Sequence, residues 1–270
     1  MTKAEISRAI VRGDPIAWNG LTLFPILVQD FEKFESAKPG ITLSQKTLPA
    51  KFAGMRYLEA LFALDMENLQ HGEPPVGLFA RAIRFLTLAL RLPEEERVDG
   101  SVAFPLEIQV SEEDPTKLAA VLVHMGEQVI TITSRDFAKL RPLLAQQNGL
   151  ELPDEAHNVE LEAAERDLEA AGGLNLDVNF EDLIYSVAVQ SGVDVGQVFG
   201  WTIRKFHKVK AAIDRGLGYQ LAYLATASGA KYKNGNPWPS WMFDRKKGFS
   251  KALIPMASFQ KQMNGTVEAK

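Results

Sequence analysis

The stretch FEDLIYSVAVQSGVDVGQVFGWTIRKFHKVKAAIDRG, residues 180–216, decides how the last third of the chain is organised. Its apolar residues recur at three- and four-residue steps, which predicts amphipathic helices. Gly192 favours the left-handed turn that ends a first helix, and Asn179 is placed to cap the start of that helix. Asp194, followed three residues later by Gln197, predicts a capping box for a second helix. Two helices around a turn at Gly192 are therefore expected.

The second of these helices is expected to continue past residue 199 and to carry two different faces. Its predicted apolar face consists of Val195, Val198, Phe199, Thr202 and Phe206. Its other face is predicted to carry Trp201, Arg204, Lys205 and Lys208. Because glycine weakens a helix interior by roughly 1 kcal/mol, Gly216 and Gly218 are expected to interrupt the pattern before a further helix over residues 219–228.

A tryptophan-rich segment, NPWPSWMF at residues 236–243, follows these helices. Pro239 stands between Trp238 and Trp241 and excludes one continuous helix, so an ordered loop is predicted. Two interpretations stay open for this loop. It is either a lid folded over the helices or an anchor for a protein partner, because Trp, Met and Arg are enriched at the cores of interfaces.

The N-terminal part of the chain is predicted to combine a β-hairpin with helices. In PIAWNGLTLFPILV, residues 15–28, Asn19 and Gly20 form the dipeptide that a type I′ turn favours between two short strands. From capping signals and apolar spacing, helices are expected over residues 3–12, 29–37, 48–69 and 77–92.

The middle of the chain changes character and predicts a compact β-β-β-α module. FPLEIQV and LAAVLVHMGEQVITIT are rich in β-branched residues, which favours three strands, the last two joined as a hairpin. Ser134 is expected to cap the helix that follows, and Pro142 is expected to kink it. His124 lies in one of the predicted strands, where a packed or edge histidine is expected in preference to a metal ligand.

The predicted fold is α+β and mostly helical, with an N-terminal β-hairpin, a small antiparallel β-rich module in the middle and a C-terminal helical bundle. An acidic helix over residues 154–169 and a glycine hinge are expected to connect the last two parts. The predicted divisions are the hairpin with helices (1–98), the β-rich module (99–150), the acidic helix with its hinge (151–173), the helical domain with the tryptophan-rich loop (174–245) and a flexible tail (246–270).

Length and composition exclude several classes of protein. The 270 residues are 46% hydrophobic, which is enough for a substantial core. No run approaches the roughly 18 consecutive apolar residues of a membrane span, and no signal-peptide pattern is recognised. The chain has no cysteine, which excludes disulfides and thiolate metal sites and fits a reducing compartment. A net charge of −4 indicates that any contact with nucleic acid would come from a local patch.

Patterns of catalytic and metal-binding residues are missing from the sequence. The four histidines lack the HExxH spacing, and the GxSxG, Walker and dinucleotide-binding patterns do not occur. The expectation is a protein without catalytic activity, cofactor or bound metal. One generic alternative is a helix-turn-helix regulator, since Ala188, Gly192 and Val198 match its small residue, turn glycine and buried hydrophobe. Its recognition helix would present Gln197, Arg204 and Lys205 to DNA.

Three passages carry a resemblance to a known family. They are PIAWNGLTLFPILVQDFEKF (15–34), LPAKFAGMRYLEAL (48–61) and SGVDVGQVFGWTIRKF (191–206). Together they resemble the tail assembly chaperones of long-tailed bacteriophages, especially those that infect Gram-positive bacteria. The third is similar to a turn-then-helix element of that family, with Phe199 or Trp201, then Thr202 and Arg204, at the matching positions. The module at 99–150 and the tryptophan-rich loop depart from the small all-helical members.

The resemblance implies a non-catalytic assembly factor that binds the tape measure protein, keeps its apolar helices soluble and recruits the major tail protein as the tube grows. It implies the host cytoplasm as location, absence from the mature virion, and self-association; membranes and nucleic acid are not expected partners. Partner contacts are expected at Trp201, Arg204, Lys205, Lys208, Trp238, Trp241 and Phe243. The alternative in the same setting is a structural protein of the phage tail or head–tail junction, which would remain in the particle.

Overall fold

The computed structural model describes residues 2–93, 95–96, 102–103, 106–125, 128–153, 179–232 and 236–243. The chain divides into two compact units, Met1–Val209 and Lys210–Lys270. It is mixed and mostly helical, with an N-terminal hairpin, a three-stranded sheet in the middle and C-terminal helices, which confirms the predicted fold class. The acidic helix predicted over residues 154–169 and the tail at 246–270 lie outside the described residues.

The helices and strands follow one another in a simple order. The first half contains α1 (Lys3–Arg12), β1 (Ile16–Trp18), β2 (Leu21–Leu23), α2 (Phe31–Ala37), α3 (Pro39–Thr42), α4 (Tyr57–Gln70) and α5 (Leu78–Leu90). The middle contains β3 (Glu95–Glu96), β4 (Val102–Ala103), β5 (Leu106–Val110), β6 (Leu118–Met125), β7 (Gln128–Ile132) and α6 (Ser134–Gln147). The last part contains α7 (Phe180–Ser191), α8 (Val195–Phe199) and α9 (Ile203–Ala227).

The N-terminal hairpin forms as predicted. β1 and β2 pair in antiparallel register, with Trp18 opposite Leu21. Asn19 and Gly20 have φ values of 44° and 83°, and two successive left-handed residues are what a type I′ turn requires. The inward-facing Ile16 is fully buried, so the hairpin presents one face to the core.

The helix predicted over residues 48–69 is shorter than expected. Pro49 lies outside a helix, a 3₁₀ turn covers Ala50–Phe52, and α4 begins only at Tyr57. The side-chain amide of Gln45 donates to the Met55 carbonyl at 2.6 Å, which holds that carbonyl outside the helical ladder. The helix thus begins eight residues after the proline that the sequence offered for its first turn.

Helix α3 packs against α5 at unusually short range. A Cβ atom on Gly40 would lie 2.6 Å from the Arg81 carbonyl carbon and 2.7 Å from the Ala82 Cα. Contacts between carbon atoms are normally most favourable at about 3.5–4.0 Å. Only glycine permits this approach of the two backbones, and the Tyr57 hydroxyl reinforces it by donating to the Gly40 carbonyl at 3.1 Å.

The central strands form one antiparallel sheet in the order β5-β6-β7, as predicted from their β-branched residues. The helix that follows is capped by Thr133 and not by Ser134, which was the predicted cap. Thr133 exchanges hydrogen bonds with Asp136 in a capping box, while Ser134 is the first helical residue. The helix α6 continues through Pro142, which is exposed.

Helix α6 is fastened to the N-terminal elements by three polar side chains. Asn148 Oδ1 accepts from the Ile26 amide at 2.9 Å, and Gln147 Nε2 donates to the Leu23 carbonyl at 3.1 Å. Arg141 donates to two carbonyls of the α3 region, and its guanidinium lies 3.6 Å from the centre of the Tyr57 ring. The first two of these bonds are buried, so they join α6 to the backbone of the N-terminal elements inside the core.

The C-terminal helices confirm some predictions and correct others. Asn179 caps α7, and Gly192, with φ of 67°, ends it in the left-handed conformation as predicted. The next helix was expected to run without a break from Val195 past Phe206, and this was wrong. It ends at Phe199, because residues 201–203 pair in extended form with residues 26–28.

The break has a further consequence for the helix-turn-helix interpretation. Gln197 lies on α8, whereas Arg204 and Lys205 lie on α9, so these three side chains do not share one recognition helix. The expected interruption at Gly216 and Gly218 was also wrong, since α9 continues through both glycines to Ala227. Across the described ranges, no helix combines the length and the apolar character that a membrane span needs.

Candidate partner-binding surfaces

The seven residues predicted to contact partners fall into two groups. The first unit contains Trp201, Arg204, Lys205 and Lys208, and the second contains Trp238, Trp241 and Phe243. The members of each group are also neighbours in the sequence. The first group lies just before α9 and on its first two turns, and the second group lies in the tryptophan-rich loop.

Trp201 lies at the corner where α9 begins. Its carbonyl accepts from the Val28 amide at 2.9 Å, and the Ile203 amide donates to the Ile26 carbonyl at 2.9 Å. The Thr202 hydroxyl then accepts from the Lys205 amide at 3.1 Å, which caps the new helix. Backbone hydrogen bonds thus fix this corner, and the Trp201 side chain is half-buried there.

Arg204 serves the fold. Its guanidinium donates to the Gln146 carbonyl at 3.1 Å, at the last turn of α6. A Cβ atom on Gly149 would lie 3.4 Å from the Arg204 Cα, so the two segments are in contact. A cation at a helix C-terminus stabilises the unpaired carbonyls there. Replacing Arg204 would therefore perturb the junction of α6 and α9 in addition to any partner surface.

Lys205 and Lys208 are the exposed cations of this group. The Lys205 ammonium lies 4.1 Å from the centre of the Trp201 ring, a cation–π contact that orders both side chains at the surface. Lys208 is exposed on the next turn of α9. The partner contacts predicted for these two lysines, for Trp201 and for Arg204 stay predictions.

The tryptophan-rich loop packs on the second part of α9. A Cβ atom on Gly218 would lie 2.5 Å from Cε2 of Trp238, so the indole ring lies directly on the glycine backbone. Arg215 donates through Nε to the Trp241 carbonyl at 3.2 Å. Asn236 and Ser240 accept from backbone amides within the loop and fix its two turns. Gly218 thus provides space for a ring, which explains a glycine inside a helix.

Beside this covered face, α9 carries an exposed apolar stripe. Leu217, Leu221 and Leu224 follow one another at steps of four and three residues, and Leu221 is 68% exposed. This spacing places the three leucines on one side of the helix. The three leucines are 43–68% exposed, so no described residue of this unit fully covers the stripe.

The loop adds further apolar surface in the same unit. Trp241 is 59% exposed and Phe243 is 71% exposed, and Met242 lies between them. A monomeric protein rarely exposes large contiguous apolar patches unless they bind something. The second unit therefore presents leucine, tryptophan and phenylalanine side chains to solvent on two elements.

A separate groove of about 460 Å³ lies in the first unit. Its walls come from the segment 28–33, from α7 and from α8. The rings of Phe31 and Phe180 stack with their centres 3.7 Å apart and nearly parallel. Tyr185 and Phe199 are exposed at the groove, at 50% and 40% of their surface. Phe31 and Phe180 lie far apart in the sequence, and no local pattern predicted that they would meet.

One buried titratable group, Asp65, is engaged at the start of a helix. Asp65 is buried on α4 and accepts from the Gly77 amide at 2.9 Å and the Phe79 amide at 3.3 Å, at the start of α5. Burial raises the pKa of Asp65, while the amides oppose this change. His124 pairs with Glu107 on the exposed sheet at 3.2 Å. Within the described ranges, no three His, Asp or Glu side chains gather as a metal site would require.

Comparisons with models of protein families, with curated proteins and with solved structures found no match for this chain. The geometry of the described residues, together with the sequence resemblance, is therefore the basis for a functional proposal.

Proposed function

We propose that this chain is a non-catalytic phage tail assembly chaperone, which binds the tape measure protein and recruits the major tail protein during assembly of the tail tube. The observation that carries the proposal is the exposed leucine stripe of α9, formed by Leu217, Leu221 and Leu224. A tape measure protein offers long apolar helices. Leucines at steps of four and three residues are suited to pack against such a helix as one seam of a coiled-coil-like contact.

The surroundings of the stripe support a contact that can be reversed. The stripe spans only two turns of one helix, and its neighbours Gln220 and Thr226 are exposed and polar. Small interfaces of this kind are typical of transient complexes. A small interface suits a chaperone that leaves the growing tail, whereas a permanent tail component would need a larger one.

The test is co-expression of this chain with the tape measure protein of the same genome. We expect the tape measure protein to become soluble and to co-purify with the tagged chain. The variant Leu221→Glu should lose most of the captured protein, because a buried carboxylate in an apolar seam costs several kcal/mol. The control is Gln220→Glu, which adds the same charge on the same helix beside the stripe.

The outcomes separate the alternatives. A tape measure protein that stays insoluble and unbound in the presence of the wild-type chain would refute the proposal. Equal loss in the Gln220→Glu control would show that charge, and not the leucine stripe, governs capture. Stoichiometric amounts of the chain in purified virions would favour a structural tail or head–tail junction protein instead.

A further inference from the structure

The groove in the first unit has a chemistry that the leucine stripe does not share. Val28 and Ile184 are buried at its base, while Tyr185 and Phe199 stand at its open side. Its volume of about 460 Å³ falls within the range of roughly 300–1,000 Å³ that is typical of ligand pockets. The groove is thus large enough for two or three apolar side chains of a partner.

Charges around the groove are unbalanced. Asp30, Glu32 and Glu181 line it, against the single cation Lys33. Among the described residues, none of the three carboxylates has an ion-pair partner, whereas Lys33 takes part in an interaction of its own. A cation that enters the groove is therefore attracted, and an anion is repelled.

We infer that this groove is a docking site for an apolar peptide segment of a partner protein that carries lysine or arginine. The combination of aromatic walls and carboxylates selects that chemistry. The methylene stem of a lysine or arginine packs on rings such as those of Phe180 and Tyr185, and its charged end reaches the carboxylates at the rim. Leucine-type side chains of the same segment then fill the space above Val28 and Ile184.

The three walls of the groove also favour a peptide over a compact small molecule. The groove is lined by α7 and α8 and by the residues at the start of α2. A groove between helices accepts an amphipathic helix, which presents apolar and basic residues at three- and four-residue steps. The inference goes beyond the proposed function, since it concerns another surface and does not depend on the identity of the partner.

The experiment uses the full chain and three synthetic peptides of defined composition, each with a fluorescent label. The first is the leucine–lysine peptide LKKLLKLLKKLLKL. The second replaces every lysine by glutamate, and the third replaces every leucine by serine. Fluorescence anisotropy gives the dissociation constant of each peptide. We expect binding of the leucine–lysine peptide, and at least tenfold weaker binding of each of the other two.

Variants of the chain assign this binding to the groove. The double variant Glu32→Lys with Glu181→Lys should weaken binding of the leucine–lysine peptide by about tenfold or more, because it replaces two attractions by two repulsions. The matched control is Asp182→Lys with Glu112→Lys. Asp182 is exposed beside Glu181 in the same first turn of α7 but does not line the groove, so both doubles change the net charge alike and each reverses one charge at the start of α7.

An apolar variant completes the set. Phe199→Ser should weaken binding of the leucine–lysine peptide and leave binding of the serine–lysine peptide unchanged, with thermal unfolding measured to show that each variant is folded. Equal weakening by the two charge-reversal doubles would overturn the inference, because attraction would then be unspecific. Absence of binding, or equal binding of the leucine–glutamate peptide, would overturn it as well. Capture of the tape measure protein through Leu221 is scored separately, so either proposal can fail without the other.

Discussion

The contact between Trp238 and Gly218 gives a sharp prediction, because α9 contains a matched control two residues away. Gly216 and Gly218 both lie inside the helix, and a Cβ atom on Gly216 would meet nothing within 4 Å. Gly216→Ala should therefore stabilise the helix by about 0.8–1 kcal/mol, the usual difference between glycine and alanine. Gly218→Ala gains the same helix propensity but places its methyl group against the indole ring.

The cost of that methyl group follows from the geometry. Its carbon would lie 2.5, 2.6 and 2.8 Å from three ring atoms of Trp238, so the ring must move by about 1 Å to reach an ordinary contact distance. Overpacking of this kind costs about 1–3 kcal/mol. We expect Gly218→Ala to be less stable than Gly216→Ala by about that amount, and to displace the loop that carries Trp241 and Phe243.

Two measurements test the prediction. Hydrogen exchange of the amides at residues 219–227 reports the free energy of opening of the helix, and the indole Nε1–H resonance, assigned with Trp238→Phe, reports the position of the ring. In the Trp238→Ala background the clash is absent, so Gly218→Ala should stabilise the helix there by as much as Gly216→Ala stabilises it in the wild-type chain. If both single variants stabilise the helix equally and the indole resonance does not shift, the ring does not lie on Gly218.

Three further predictions concern the first unit. Gly40→Ala should destabilise the protein by about 3 kcal/mol in urea denaturation, since the new methyl group meets the α5 backbone, whereas Gly54→Ala, in open space, should change stability by less than about 1 kcal/mol. Arg141→Met should lower the free energy of unfolding by about 3 kcal/mol, because it removes two 2.7 Å hydrogen bonds to carbonyls and a cation–π contact. An unchanged midpoint of urea denaturation would contradict this prediction. Burial raises the pKa of Asp65 in the folded state, so folded Asp65 binds a proton more readily than unfolded Asp65. The contribution of Asp65 to the free energy of unfolding therefore decreases as the pH rises from its ordinary pKa through its raised pKa. In urea titrations across that window, Asp65→Asn should remove this decrease; an identical pH dependence of the two proteins would refute the assignment.

Features that depend on a few neighbouring residues were accessible from the sequence. The hairpin turn requires two left-handed residues, and Asn19 with Gly20 is the pair that adopts them at low cost. The end of α7 likewise depends on Gly192 alone, and the cap at its start on Asn179. These signals are read within four or five positions, so no knowledge of the tertiary structure was needed.

The features that escaped prediction are set by distant partners. The break between α8 and α9 depends on pairing with residues 26–28, and the continuity of α9 through Gly218 coincides with the ring of Trp238 on that glycine. The groove needs Phe31 and Phe180 from opposite parts of the chain. The bond of the Arg204 guanidinium to the end of α6 was not predicted either, and the partner contact predicted for Arg204 stays a prediction. Helical periodicity identifies an exposed cation without revealing which carbonyl lies within its reach.

The pairing of residues 26–28 with residues 201–203 also affects the order in which the chain can fold during synthesis. The Val28 amide and the Ile26 carbonyl find their partners at the Trp201 carbonyl and the Ile203 amide. During synthesis, these two backbone groups have no hydrogen-bond partner in the chain until residues 201–203 have left the ribosome. Contacts between residues so far apart in the sequence also form slowly. A fragment that stops before residue 201 would carry the same defect permanently. Fragments used to locate the partner-binding surfaces should therefore retain residues 201–203 together with the N-terminal hairpin.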